Sequence, residues 1–246
     1  MPVIPDTGSA DLFIYASSCS NCHLSNHSSF NSENSRSYKH LSDNWSVDYH
    51  DESGARGYIG KDTVNFGASG LINTPLAFAL ATKLTGDGDP DSSTSGIMGL
   101  SLDDLSTMPD DEYNQGATLF SRLVRKKQLD ENVLGIRMGK GQASQGVVYK
   151  EGGGMYTFGG VEERYIIGGK AGLNWIPVTS SLYWLVFQAI PGADGRGFNL
   201  EGISIGGRSV IGANDTTKGR VIIDTGVSHR PSSASYEDAD HRRHSF

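Results

Sequence analysis

The chain has 246 residues, a formal net charge of −7 and 37% hydrophobic residues. That length fits one large domain or two lobes and is enough to bury a core. The acidic balance leaves no basic face to neutralise phosphates, so no nucleic-acid partner is expected. No apolar stretch reaches the ~20 residues of a membrane-crossing helix, so no membrane partner is expected either. No secretory signal peptide is read ahead of the first motif, so the expectation is either a protein that is not secreted or a sequence that lacks its true beginning.

Residues 1–16 (VIP-DTGSA-DLFIYA from Val3) read as a strand, a tight turn and a second strand. Residues 17–44 are rich in Ser and Asn and read as loop. Strand candidates follow at 46–49, 57–66, 73–81 and 97–100, with the acidic loop TGDGDPDSST before the last. The clearest helix is ATLFSRLVRKKQL, where Leu119, Phe120, Leu123 and Val124 form one stripe and the cations fall late, where the dipole favours them. From Val133 onward strands and glycine turns return, through VLGIRMG, GVVYKEGGGMYTFGG, GLNWIPV, YWLVFQAI, GISIGG and RVIIDTG. Glycine supplies 32 residues, nearly twice the usual share of about 7%. The last 18 residues are polar and unpatterned and read as a disordered tail. The predicted fold class is mostly β.

One phrase occurs twice: VIPDTGS at 3–9 and VIIDTGV at 221–227. A single Asp-Thr-Gly is an ordinary β-turn, with Asp bonding local backbone and Gly supplying a positive φ. Two copies behind apolar strands, with Asp6 and Asp224 separated by 218 positions, suggest two lobes each contributing one turn. Two carboxyls brought together cannot both ionise easily, so they share a proton. The ionised one can take a proton from water while the protonated one polarises a carbonyl. Aspartic proteases are the standing example of such a pair.

The ordered set DTGSADLFIYASSC, FNSENSRSY, VDYHDESGARGYIGKDTV, SGIMGL, FGGVEERYIIGGKAGLNWIPVTSSLYW and IIDTGVS resembles the pepsin-like aspartic proteases, closest to the fungal type, along most of the chain. The resemblance implies a bilobal pepsin-like acid protease fold with an incomplete second lobe. Its expected division is an N-terminal lobe at 1–155, a partial C-terminal lobe at 156–228 and a tail at 229–246. It implies Asp6 and Asp224 as catalytic pair, Thr7, Gly8, Thr225 and Gly226 as the turns holding them, and Ser9 as the hydroxyl bonded to the first Asp. Tyr49 would be the flap tyrosine, Asp51 a flap-tip acid contacting substrate, and Ile97 an apolar lining of the pocket; for Asp51 and Ile97 plain loop and core roles are equally open. The implied activity is acid cleavage of peptide bonds in mostly apolar polypeptides by a monomer, extracellular or vacuolar, with no metal or cofactor. The alternative is a catalytically impaired, truncated fragment that binds peptides or acts as a decoy.

Several residues depart from the family pattern. Pro5 cannot donate to a sheet. Phe13 stands at the usual tryptophan position, so the flap tyrosine is expected to lose its indole neighbour. His50 and Glu52 replace glycines of the hairpin tip, and Val227 replaces a hydroxyl residue, which should raise the second carboxyl's pKa. The segment SHRPSSASYEDADHRRHSF stands where the family continues its second lobe, so the chain is expected to be truncated at both ends.

Other motifs compete for attention. Cys19, Cys22, His23 and His27 lie in CSNCHLSNH, a C-x-x-C-H form that leaves haem attachment, zinc and a disulfide open; the family resemblance implies a Cys19–Cys22 disulfide. DGDPDSSTSGIM begins like an EF-hand loop, but Ser92 replaces the required Gly and Met98 the closing Glu. GGKAG and EGGG lack the strand-to-helix setting of a nucleotide site. The triplets at Asn26, Asn44 and Asn214 would accept glycans in a secreted protein.

Overall fold

The run LAFALA at 76–81 has apolar residues at every position, the mark of a strand covered on both faces. The computed structural model describes residues 1–22, 28–49, 52–66, 72–86, 94–109, 118–138, 154–173, 203–205, 208–211 and 224–226. In it the run lies in strand β5 (Ile72–Thr85). Because successive side chains alternate, Ala77, Ala79 and Ala81 join one buried cluster while Phe78 and Leu80 join another. The first cluster also holds Phe13, Tyr15, Trp45, Ile59, Leu84 and Met108. The second gathers Leu12, Ile14, Phe30, Tyr38, Tyr58 and Val64 around Ala16, Phe78 and Leu80. Each fully buried large side chain contributes about 1.5–3 kcal/mol.

Around β5 lie β1 (Ile4–Asp6), β2 (Leu12–Tyr15), β3 (Lys39–Asp48), β4 (Gly54–Phe66) and β6 (Gly96–Gly99), in the spatial order β1-β6-β2-β5-β4-β3. β6 inserts between β1 and β2, parallel to the first and antiparallel to the second. This threads Gly99 beneath the first Asp-Thr-Gly turn, where a Cβ would collide with the Ala10 and Asp11 backbone. Leu100 N–H donates to Asp6 C=O at 2.7 Å, and Ser101 N–H to Ser9 C=O at 2.9 Å, so SGIMGL supports the turn from below.

The structure corrects two expectations here. β3 begins at Lys39, within the segment read as loop; it is the outer strand of the sheet, exposed at most positions, so its sequence lacks an apolar face. Pro5 costs the sheet nothing. The carbonyls of Pro2 and Asp6 accept from Ser95 and Leu100 N–H, so the alternating Pro5 backbone points to the opposite side, where an edge proline is tolerated.

The chain divides into two compact units, Met1–Leu119 with Ile176–Phe246, and Phe120–Trp175. The first contains the six-stranded sheet, the second Asp-Thr-Gly, and an antiparallel pair β9 (Ile203–Ile205) and β10 (Arg208–Ile211). The second unit takes in most of α1 (Leu119–Arg125) and an antiparallel pair, β7 (Leu134–Arg137) and β8 (Met155–Phe158). Phe120 of α1 meets Phe158 of β8 at 6.4 Å between ring centres. The helix ends in a Schellman turn: Gln128 N–H donates to Leu123 C=O and Lys127 N–H to Val124 C=O. Lys127 takes the left-handed position at φ 52°, where glycine is usual.

Candidate active site

β1 feeds Asp6 into the first turn with its side chain buried at 5% exposure. Asp6 Oδ1 accepts from Gly8 N–H at 2.7 Å, and Oδ2 accepts from the Ser9 hydroxyl. The second turn repeats the pattern, with Gly226 N–H donating to Asp224 Oδ1 at 2.8 Å. Here the Asp lies exposed to solvent.

The threonines join the turns. Thr7 N–H donates to Thr225 Oγ1 at 3.1 Å, and Thr225 N–H donates to Thr7 Oγ1 at 3.1 Å. The Thr225 hydroxyl donates in turn to Pro5 C=O at 2.9 Å. The backbones thereby come so close that a Cβ at Gly8 would collide with the Asp224 carboxyl, and one at Gly226 with the Asp6 carboxyl. Glycine is required at both places for that reason, and each carboxyl faces the opposite turn.

Burial pushes the Asp6 carboxyl up, and the charge of Asp224 and a hydrogen bond shared with it add to the rise. The Ser9 hydroxyl and Gly8 N–H pull the other way, and the balance leaves Asp6 at about 6. The site therefore pairs a buried carboxyl that holds its proton up to pH about 6 with a solvent-facing one.

The β3–β4 hairpin supplies the predicted flap segment. At its tip Tyr49 N–H donates to Ser53 C=O at 2.8 Å and Glu52 N–H to Tyr49 C=O at 3.2 Å. Glu52 takes φ 65°, the left-handed conformation of the glycine it was expected to replace. Arg56 ties the base, donating to Val47 C=O at 2.8 Å and to Asp48 at 2.6 Å. Tyr49 and Ile97 are partly buried against the cluster containing Phe13, Trp45 and Met108. Trp45 lies 5.3 Å from Phe13 between ring centres. An indole therefore occupies this cluster although Phe13 stands at the usual tryptophan position.

Trp45 Nε1 donates to Thr107 Oγ1 at 3.1 Å and to Asp11 Oδ2 at 3.3 Å. Asp11, buried at 7% exposure, also accepts from the Ser106 hydroxyl at 3.0 Å, Thr107 N–H at 2.9 Å and the Thr107 hydroxyl. This buried carboxylate was not singled out from the sequence; its only sequence signal is an acid within the otherwise apolar run after the first turn. Cys19 and Cys22 form a disulfide, with Cα atoms 5.7 Å apart, and so present no thiolates to zinc or haem. Asp51, His50, Val227, His23 and His27 lie outside the described residues.

Comparison with known proteins identifies the family. Residues 1–236 match the model of the eukaryotic aspartyl protease family. The chain is 31% identical to rhizopuspepsin-3 of Rhizopus niveus over 91% of its own length and 48% of that protein. Syncephapepsin of Syncephalastrum racemosum is 29% identical over 91% of this chain and 47% of its own, and pepsin A of Callithrix jacchus 28% over 92% and 49%. The chain thus spans about half the length of these relatives. It belongs to the eukaryotic aspartyl protease family and has that family's mostly β, pepsin-like character.

Proposed function

We propose that the chain is an aspartic endopeptidase in which Asp6 and Asp224 together activate water at acid pH. The observation that carries this is the reciprocal threonine contact, which sets each carboxyl against the opposite glycine. Below pH about 6 Asp6 holds the proton and donates a hydrogen bond to the scissile carbonyl oxygen. Asp224, facing solvent, takes a proton from water as the water oxygen bonds to the carbonyl carbon. In the same step Asp6 gives its proton to the carbonyl oxygen. The resulting tetrahedral diol collapses as Asp224 passes the water proton to the amide nitrogen and Asp6 takes a proton back from a diol hydroxyl, breaking the C–N bond and releasing acid and amine. Thr7, Gly8, Ser9, Thr225 and Gly226 hold the pair. Tyr49 closes over the substrate, Ile97 lines the pocket, and Asp51 contacts the peptide from the flap tip.

The substrate on this reading is a mostly apolar polypeptide, cleaved by a monomer needing no cofactor. The Cys19–Cys22 disulfide favours an oxidising compartment, extracellular or vacuolar. Cleavage of an unfolded polypeptide at pH 4 tests the proposal. Asp6→Asn and Asp224→Asn should each lower kcat by roughly a thousand-fold or more, and activity surviving Asp6→Asn refutes the pairing.

A second reading, peptide binding without turnover, is favoured by the exposure of Asp224 beside a buried Asp6. A statine-type mimic would then raise the melting temperature, since it binds only the folded state, while no cleavage would be detected.

A further inference from the structure

The end of β5 is flanked on one side by the flap hairpin. Thr85 pairs with Gly54 and Leu84 with Ala55, and a Cβ at Gly86 would lie 2.6 Å from Glu52 C=O and 3.0 Å from Ser53 Cα. The hairpin tip therefore rests on the last residues of this strand. On the other side β2 has already ended, its last pair with β5 being Tyr15–Ala81.

The Asn21 carboxamide takes the vacant place. Its Oδ1 accepts from Leu84 N–H at 2.8 Å, and its Nδ2 donates to Leu84 C=O at 2.9 Å. One side chain thereby makes both bonds that a neighbouring strand's peptide groups would make. Leu84 settles which atom is which, since its N–H only donates and its C=O only accepts. Ser20 N–H and hydroxyl also reach Thr82 C=O, at 2.9 and 3.3 Å. Both residues sit in the loop closed by the Cys19–Cys22 disulfide, whose cysteines are buried. The Leu84 side chain, 5% exposed, belongs to the cluster against which Tyr49 packs.

We propose that Asn21 is a positioning residue for the flap: held by the Cys19–Cys22 loop, its carboxamide fixes the end of β5 on which Glu52, Ser53 and Gly54 of the hairpin rest. The proposal builds on the reading of that hairpin as a substrate flap, although the coupling itself requires no turnover. A carboxamide supplies an acceptor and a donor side by side, as does a protonated carboxylic acid. A carboxylate offers two acceptors, one of them facing Leu84 C=O. Asn21→Asp is therefore a version of the contact that protonation restores.

Hydrogen exchange of the full chain, read at the Tyr49 and Glu52 amides and over residues 82–86, tests this. Rates are corrected for intrinsic pH dependence. Among the described residues the ionisable groups facing this end of the sheet are Lys83 on β5, Arg56 on β4, Asp48 on β3 and Glu52 at the tip, and the parent measured at each pH carries them all. In Asn21→Ala both regions should exchange about ten-fold faster at pH 3 and pH 7. Asn21→Asp should match the parent at pH 3 and the alanine variant at pH 7. Acceleration confined to residues 82–86, or an aspartate variant indistinguishable from the parent at pH 7, overturns the proposal. Should the alanine variant fail to fold, the aspartate variant decides alone, because it keeps the bonds at pH 3. Cleavage assayed in parallel separates the two claims: an inactive parent with the expected exchange pattern refutes the protease reading and leaves the positioning role standing.

Discussion

Replacing Thr225 with valine keeps the shape of the side chain and removes one hydroxyl. That hydroxyl accepts from Thr7 N–H at 3.1 Å and donates to Pro5 C=O at 2.9 Å. Thr7 is 1% exposed, so water cannot replace the lost acceptor at its N–H. Stripping a buried backbone group of its partner costs about 1–3 kcal/mol. With one strongly buried and one less enclosed group, the sum is about 3 kcal/mol. For a chain of this size that lowers Tm by roughly 6–12 °C. Calorimetry on the parent, Thr225→Val and Thr225→Ser measures it. The serine variant keeps the hydroxyl and should lose far less than the valine variant. In a double-mutant cycle Thr7→Val and Thr225→Val should cost less together than the sum of the two, because the reciprocal bonds share partners. A valine variant melting within about 2 °C of the parent, or a serine variant equally damaged, would refute the claim that these hydroxyls hold the turns together.

The raised Asp6 means that the folded chain binds a proton more tightly than the unfolded one. Its contribution, about 3 kcal/mol, is fully present below pH about 3.8 and lost as pH rises through about 6; urea midpoints of Asp6→Asn should lack this slope. Asp62 behaves in the opposite sense. Burial pushes it up, but hydrogen bonds from Ser35 at 2.5 Å, Ser37 at 2.6 Å and Thr63 N–H at 2.7 Å together outweigh that and hold it below the usual carboxylate range. Its stabilisation is present above the unfolded carboxylate range and lost as pH falls through its own lowered value, so Asp62→Asn should cost about 1–3 kcal/mol at pH 7 and little at pH 2 by urea denaturation. Lys127→Gly should gain about 0.5–1 kcal/mol by relieving the left-handed conformation, and Glu52→Gly should gain a similar amount, both read from urea midpoints.

The parts legible in the sequence were those whose chemistry is local or repeated. An Asp-Thr-Gly turn states its own hydrogen bonds, and two copies state that Asp6 has a partner. The apolar segment at 73–81 announced a strand, which lies within β5. The beginning of β3 was not legible because KHLSDN, at the outer edge of a sheet, carries no alternating apolar face. Trp45 stood in plain view, yet its place beside Phe13 depends on β2 and β3 being brought together across β4 and β5, which no local pattern encodes. Asn21 was hidden by its setting: in a Ser/Asn-rich loop its value lies wholly in what Leu84 needs. The role of Ser35 and Ser37 was likewise invisible until the segment that contains them was laid beside Asp62.

The threonine contact ties together positions 218 apart in the chain, whereas the six-stranded sheet is complete by Gly99. During synthesis at about 5–20 residues per second, the interval between the emergence of Gly99 and of Thr225 is roughly 6–25 s, far longer than a small sheet takes to form. Asp6 therefore spends that interval in the sheet without Asp224 opposite it. On the proposed pairing, the order of translation alone keeps the site incomplete until the second turn arrives.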